Sequence, residues 1–250
     1  MLKQTSPAKW AALLTLIIVL IIGPITGVNS ADYLHQQLER AYFLAAHGLV
    51  DLAAGRFEDV AKGEPTSVEA LVFTGISLKV SGQDQKALAY WQAADKLGDP
   101  AAATFIGDYY YEQGDFDTAE AAYRRALERQ PDAARPTIGL ALIAEKRGDP
   151  EQAIALFESI INSEKARLPI EEVFYHLGRL YLQVNRIQEA VDLLQVAVRY
   201  YPFNADMYLL LGKGYEAKGS KAESIHAYER ALQLDVTLTE ADAGLKRVRQ

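Results

Sequence analysis

The sequence predicts an all-α solenoid: six helix-turn-helix repeats, a C-terminal capping helix after them, and an apolar N-terminal transmembrane or signal helix in front. Three observations predict it. Several series of residue types recur between residues 41 and 228 with one shared spacing. The hydrophobic half of the 250 residues is concentrated in those recurring positions and in one uncharged stretch near the N-terminus. The chain has no cysteine, so packing rather than cross-linking must hold it together.

The missing cysteines exclude a disulfide-stapled domain, a thiol enzyme and a Cys-ligated zinc module. A formal charge of -7 argues against nucleic acid as a partner, because such binding needs a basic surface to displace counterions. The apolar content is too high for a disordered chain.

The N-terminal element comes first. Trp10 to Val28 carries no charge, Lys3 and Lys9 precede it, and Asp32 is the first charge after it. Basic residues before an apolar run hold that end in the cytoplasm. As an uncleaved anchor, residues 10–28 are just long enough to cross about 30 Å of hydrocarbon. The protein is then a single-pass membrane protein with extracytoplasmic repeats. As a signal peptide, Ala11 to Ile22 is the apolar core, Gly23-Pro24 breaks the helix, and cleavage after Ser30 releases a secreted or periplasmic chain. Without residues 1–30 the net charge is -9.

The repeats follow. Small residues recur at Ala41, Gly75, Gly107, Ala141, Gly178 and Gly212, in steps of 34, 32, 34, 37 and 34. The same steps relate Ala53, Ala87, Ala119, Ala153, Ala190 and Ser224, and the bulky Phe57, Trp91, Tyr123, Phe157, Leu194 and Tyr228. They also relate Gly48, Gly82, Gly114, Gly148, Asn185 and Gly219. Each position has a physical task. The first small residue lets two helices approach. Seven residues later, Gly or Asn accepts the left-handed backbone that ends the first helix. The second small residue faces the first across the hairpin, and the bulky residue one turn on fills the space toward the next hairpin. Pro65, Pro131 and Pro202 close three units.

This spacing and residue set resembles the tetratricopeptide repeat, most plainly in Glu171-Glu-Val-Phe-Tyr-His-Leu-Gly-Arg-Leu-Tyr181 and Ala205-Asp-Met-Tyr-Leu-Leu-Leu-Gly-Lys-Gly-Tyr215. The resemblance divides the chain into 34–67, 68–99, 100–133, 134–170, 171–204 and 205–238. The first unit departs from it, with Gln37 and Arg40 at usually apolar positions. Lys96 to Ala101 shortens one junction and resembles a Sel1-type repeat. Asn162 to Pro169 lengthens another, where the superhelical pitch is expected to change. Residues 239–250 form a capping helix whose apolar face, Leu238, Ala241, Leu245 and Val248, covers the last unit.

No catalytic, cofactor or metal site is expected, and no enzyme. His35, His47, His176 and His226 show no metal-ligand spacing. Gly214 to Lys221 reverses the order of a phosphate loop and follows a helix. Glu171-Glu172 opens a helix, where negative charge is favoured anyway. In Tyr109-Tyr110-Tyr111, Tyr110 shares the packing register of Tyr181 and Tyr215, whereas Tyr109 and Tyr111 point elsewhere.

The resemblance implies that the first helix of each hairpin lines a concave groove. On it, the groove candidates are Tyr42, Val72, Ile76, Asp108, Tyr111, Ile138, Leu142, Tyr175, Arg179, Leu209 and Lys213. This set is aromatic and aliphatic with few charges and suits a peptide held by apolar contacts. It lacks the cationic cluster with which chaperone-binding members clamp a terminal carboxylate. The expected function is a membrane-tethered interaction scaffold for a protein or peptide. The alternative is a structural part of cell-envelope or polysaccharide export machinery, with Tyr111 and Tyr175 stacking on sugar.

Overall fold

The computed structural model describes residues 30–163 and 170–250, with side chains from Tyr33 onward. The apolar segment 10–28 and most of the 162–169 junction, with its expected change of pitch, lie outside the described residues. No helix among the described residues is long and apolar enough to cross a membrane.

Thirteen α-helices make up the described chain: α1 (Ser30–Ala46), α2 (Val50–Gly63), α3 (Val68–Val80), α4 (Asp84–Lys96), α5 (Pro100–Glu112), α6 (Phe116–Arg129), α7 (Ala134–Lys146), α8 (Pro150–Ile161), α9 (Glu171–Gln183), α10 (Ile187–Tyr200), α11 (Ala205–Lys218), α12 (Lys221–Leu234) and α13 (Thr239–Arg249). The residues fall into two compact units, one through Ile106 and one from Gly107. The first holds hairpins α1–α2 and α3–α4. The second holds α7–α8, α9–α10 and α11–α12, with α13 packed on the last.

Local chemistry accounts for the helix ends. Asp115, Asp149 and Asn204 each accept a backbone N–H three residues on, at 3.1, 3.0 and 2.9 Å. Asp99 does the same for Ala102 at 2.6 Å, at the short junction before α5. Gly48, Gly82, Gly114, Gly148, Asn185 and Gly219, at the turns inside the hairpins, all have positive φ, between 63° and 81°. Asn185 is the one non-glycine residue among them, and asparagine tolerates that conformation best after glycine.

Packing explains the recurring positions. Both small series and the bulky series are buried throughout. Each bulky residue lies between the small residue of its own first helix and a residue of the next first helix, two positions before the small one. That partner changes with the bulky residue. Phe57 stacks on Phe73 at 5.6 Å, Trp91 on Phe105 at 5.2 Å and Phe157 on His176 at 5.7 Å. The tyrosines instead meet glycine on both sides. Tyr123 lies between Gly107 and Gly139, and Tyr228 between Gly212 and Gly244; a Cβ on any of the four would run into the ring. The room lets each hydroxyl reach a carboxylate, Tyr123 to Asp108 at 2.7 Å and Tyr228 to Glu216 at 2.6 Å.

Two polar residues in the packed interior find partners, whereas one Arg40 guanidinium nitrogen and the Trp91 indole nitrogen are buried without a hydrogen bond among the described residues. Ser224 donates to the carbonyl of Gly212 at 2.9 Å. Gln37, 1% exposed, accepts from Arg56 at 3.3 Å, so the first unit tolerates a glutamine where an apolar residue is usual.

Candidate protein-docking surfaces

The face carried by the first helices is built in register by the small-residue contacts. In the first unit, Tyr42 is half-buried. Its ring meets Phe57 at 5.2 Å and Phe73 at 5.0 Å, and its hydroxyl donates to Glu69. Burial, and then Glu69, push that hydroxyl far above its ordinary titration range. Ile76 is half-buried, whereas Val72 is buried and offers no surface to a partner.

In the second unit, Ile138 and Leu209 are likewise core residues, 3% and 7% exposed. Leu142 packs partly against the cluster that holds Ile138. Tyr175 lies half-buried against the cluster that holds Leu194 and Leu210, its ring edge-on to His176 at 5.4 Å. Tyr111 is half-buried, with its ring 5.5 Å from Phe116. Burial raises its hydroxyl pKa, and the nearby Glu145 and Glu172 carboxylates add to that. Asp108, Arg179 and Lys213 are all engaged in pairs.

Those pairs correct one expectation. The face is not sparingly charged: it carries a ladder that steps from one first helix to the next. Arg135 bridges Asp108 at 3.4 Å and Glu172 at 3.7 Å. Glu145 accepts from His176 at 3.0 Å and from Arg179. Asn204 donates to Glu171 at 2.6 Å. Lys213 pairs with Glu240, and Arg247 with Glu216 at 2.5 Å. The sequence reading missed Arg135, Glu145, Glu172 and His176. One signal for Glu145 was present, since Glu145 and Glu216 share the register of Tyr111, four residues past the small position. The pairs of Arg135 with Glu172 and of Lys213 with Glu240 are exposed and weakly held, whereas Glu145, 12% exposed, is held by two donors at once.

A second surface lies on the other side of the last hairpins. An open groove of about 580 Å³ runs between α10 and α12 with α11 as its floor. Tyr208, Leu211 and Tyr215 form that floor, Val198 and Ala227 the walls, and Arg199, Glu223 and His226 the rim. Gln195 donates to the Tyr215 hydroxyl at 2.7 Å and fixes that ring. A third hollow, at the α10–α11 corner, is bordered by Tyr200 and Phe203, 60% and 81% exposed, with Glu171 and Asp206. Among the described residues there is no group of three or more acidic or histidine side chains arranged to hold a metal.

Stacked helical hairpins with glycine turns, small-residue contacts and interleaved aromatic residues define a class of α-helical repeat scaffold. The tetratricopeptide repeat model matches residues 106–167 and 175–237, together half of the chain. The chain belongs to the tetratricopeptide repeat family. It is 29% identical over 89 residues to cellulose synthase operon protein C of Pseudomonas fluorescens, which takes in 35% of this chain. The chain spans a small part of the curated relatives it matches, 7% of the length of that one. Its fold is similar to that of the solved PilF of Pseudomonas aeruginosa, with a TM-score of 0.74 and 14% identity over 87% of this chain and 99% of that one. PilW, described as a widely conserved type IV pilus biogenesis factor, gives a TM-score of 0.66 at 16% identity, again over 87% and 99% of the two chains.

Proposed function

We propose that this protein is a non-enzymatic, extracytoplasmic scaffold, tethered to the cell membrane through residues 10–28, that docks a protein or peptide partner within a cell-envelope assembly. The observation that carries the docking role is the ladder on the first helices. It presents paired charges of both signs beside half-buried Tyr111, Leu142 and Tyr175, the mixture from which peptide-binding faces are made. The tether rests on the uncharged stretch between Lys9 and Asp32. The resemblance in fold to a pilus biogenesis factor agrees with an envelope setting.

Crosslinking and mass spectrometry of the full chain in its native membrane test the reading. Expected are a reproducible envelope protein crosslinked to the α5, α7 and α9 faces, and a repeat region degraded only by protease added outside the cytoplasm. Repeats cut only from the cytoplasmic side, or crosslinks unaffected by Tyr111→Ala with Tyr175→Ala, would overturn it. Sequencing the same material from its N-terminus distinguishes an anchor from cleavage after Ser30.

A second reading, a structural part of polysaccharide export, is favoured by the cellulose synthase operon relative and by the exposed Tyr200 and Phe203 beside Glu171 and Asp206. Aromatic faces with flanking carboxylates suit sugar rings and hydroxyls. Retention on a cellulose matrix that is lost in Tyr200→Ala with Phe203→Ala would support it.

A further inference from the structure

We propose that the groove between α10 and α12, on the opposite side of the last hairpins from the ladder, is a second docking site, and that its occupant is an acidic amphipathic helix of a protein partner. The inference rests on the interaction-scaffold reading and adds a separate surface and a partner chemistry to it.

Two independent features of the groove point to this occupant. The first is its lining. Tyr208 and Tyr215, half-buried and two turns apart along α11, form a strip at the bottom of a trough about 580 Å³ in volume, with Leu211, 5% exposed, closing the floor between them. Such a strip, walled by two parallel second helices, matches the apolar stripe of a helix laid into it.

The second is the state of the two arginines near it, Arg199 at the rim and Arg230 over the Tyr208 ring. Arg135, Arg147, Arg179, Arg186 and Arg247 are all paired with carboxylates. Among the described residues, Arg199 and Arg230 have no carboxylate partner. Arg199 is exposed at the rim, and Arg230 reaches only Gln233, at 3.1 Å, and the face of Tyr208, at 5.9 Å. Two guanidinium groups without carboxylates therefore stand at the end of the groove where α11 begins. Glu223 is the one acidic residue of the lining and lies at the start of α12, toward Tyr215. A chain with a net charge of -7 thus shows a cationic mouth at an apolar trough. Arginine beside tyrosine is the composition of binding hot spots, and a free guanidinium fork pairs with a carboxylate through two hydrogen bonds. The complementary ligand is a helix with an apolar stripe and acidic residues at one end. The chain's own residues 10–28 are apolar but carry no acid, so they do not complement the rim.

The test uses the full chain and two labelled synthetic helical peptides. Both have leucines at i, i+3 and i+7; glutamates flank the stripe in one and lysines in the other. Fluorescence anisotropy should show the glutamate peptide binding at least about tenfold more tightly, with affinity falling as salt rises. Arg199→Glu with Arg230→Glu should invert that preference. Ala222→Trp, which fills the trough from an exposed position, should abolish binding of both peptides with unchanged helicity. Equal binding of the two peptides, or variants indistinguishable from the parent, overturns the proposal. So does a concentration-dependent dimer that Ala222→Trp dissolves, since the occupant would then be a second copy. Tyr111→Ala with Tyr175→Ala should leave peptide binding intact. Loss of native crosslinks in that variant alone would uphold the first surface whatever the fate of this one.

Discussion

Tyr123 shows how much one position depends on its neighbours. Its ring fits because two glycines, Gly107 and Gly139, leave space on both sides. Gly139→Leu should therefore cost about 1–3 kcal/mol through overpacking, read as a lowered melting temperature. The ring is also tied by its hydroxyl to Asp108, so it cannot swing aside freely. Gly178→Leu should cost less, because the atom its Cβ meets is the Leu194 Cδ2 at 2.7 Å, the far end of a flexible side chain. Gly55 gives the opposite sign. It sits exposed inside α2 with nothing within 4 Å of a built Cβ, so Gly55→Ala should stabilise by about 0.4–1 kcal/mol. A fall in melting temperature there would contradict the helical register. At this scale the sequence was legible wherever a position accepts one kind of residue, as at the positive-φ turns. It was illegible for Gly139 and Gly244, whose use depends on a tyrosine 16 residues earlier.

At the scale of the element, α13 illustrates how a helix is docked. Ala241, Gly244 and Leu245 are buried, which agrees with the cap read from Ala241 and Leu245. Its outer attachments are Arg247 to Glu216 and Lys213 to Glu240. Arg247 chiefly, with help from the Tyr228 hydroxyl, holds the Glu216 carboxyl below its ordinary 4.5, and Lys213 lowers Glu240. Carboxylates depressed in the folded state add stability that is present above pH 4.5 and is lost as the pH falls through their folded values. Hydrogen-exchange protection factors across 241–248 should therefore fall below about pH 4.5. Arg247→Ala should flatten that dependence while changing the melting temperature little, since the Arg247 side chain is exposed. Leu245→Ala should loosen α13 at every pH, by about 2–5 kcal/mol. Helix ends follow local chemistry too: Asp99-Pro100 and Asp149-Pro150 place a capping carboxylate directly before a proline that starts α5 and α8.

For the whole molecule, stability in a hairpin array is a sum over neighbours rather than one cooperative core. Damage should stay local. Gly75→Leu drives a side chain into Trp91, and should lower hydrogen-exchange protection in α2 to α4 while α11 and α12 keep theirs. A uniform loss of protection along the chain would mean that the array melts as one body.

By itself the sequence determined the class of fold, the two-helix period and the buried identity of each recurring position. Those are dictated by contacts between a hairpin and its nearest neighbours, and they repeat on every turn. Only the tertiary structure decided which polar groups face one another and which surfaces stay open. Val72, Ile138 and Leu209 go inward, a charged ladder occupies the first-helix face, and Arg199 and Arg230 are left without carboxylates beside an apolar trough. Ladder partners stand 27 to 37 residues apart, and their meeting depends on the stagger between successive hairpins. Local periodicity carries no record of that stagger.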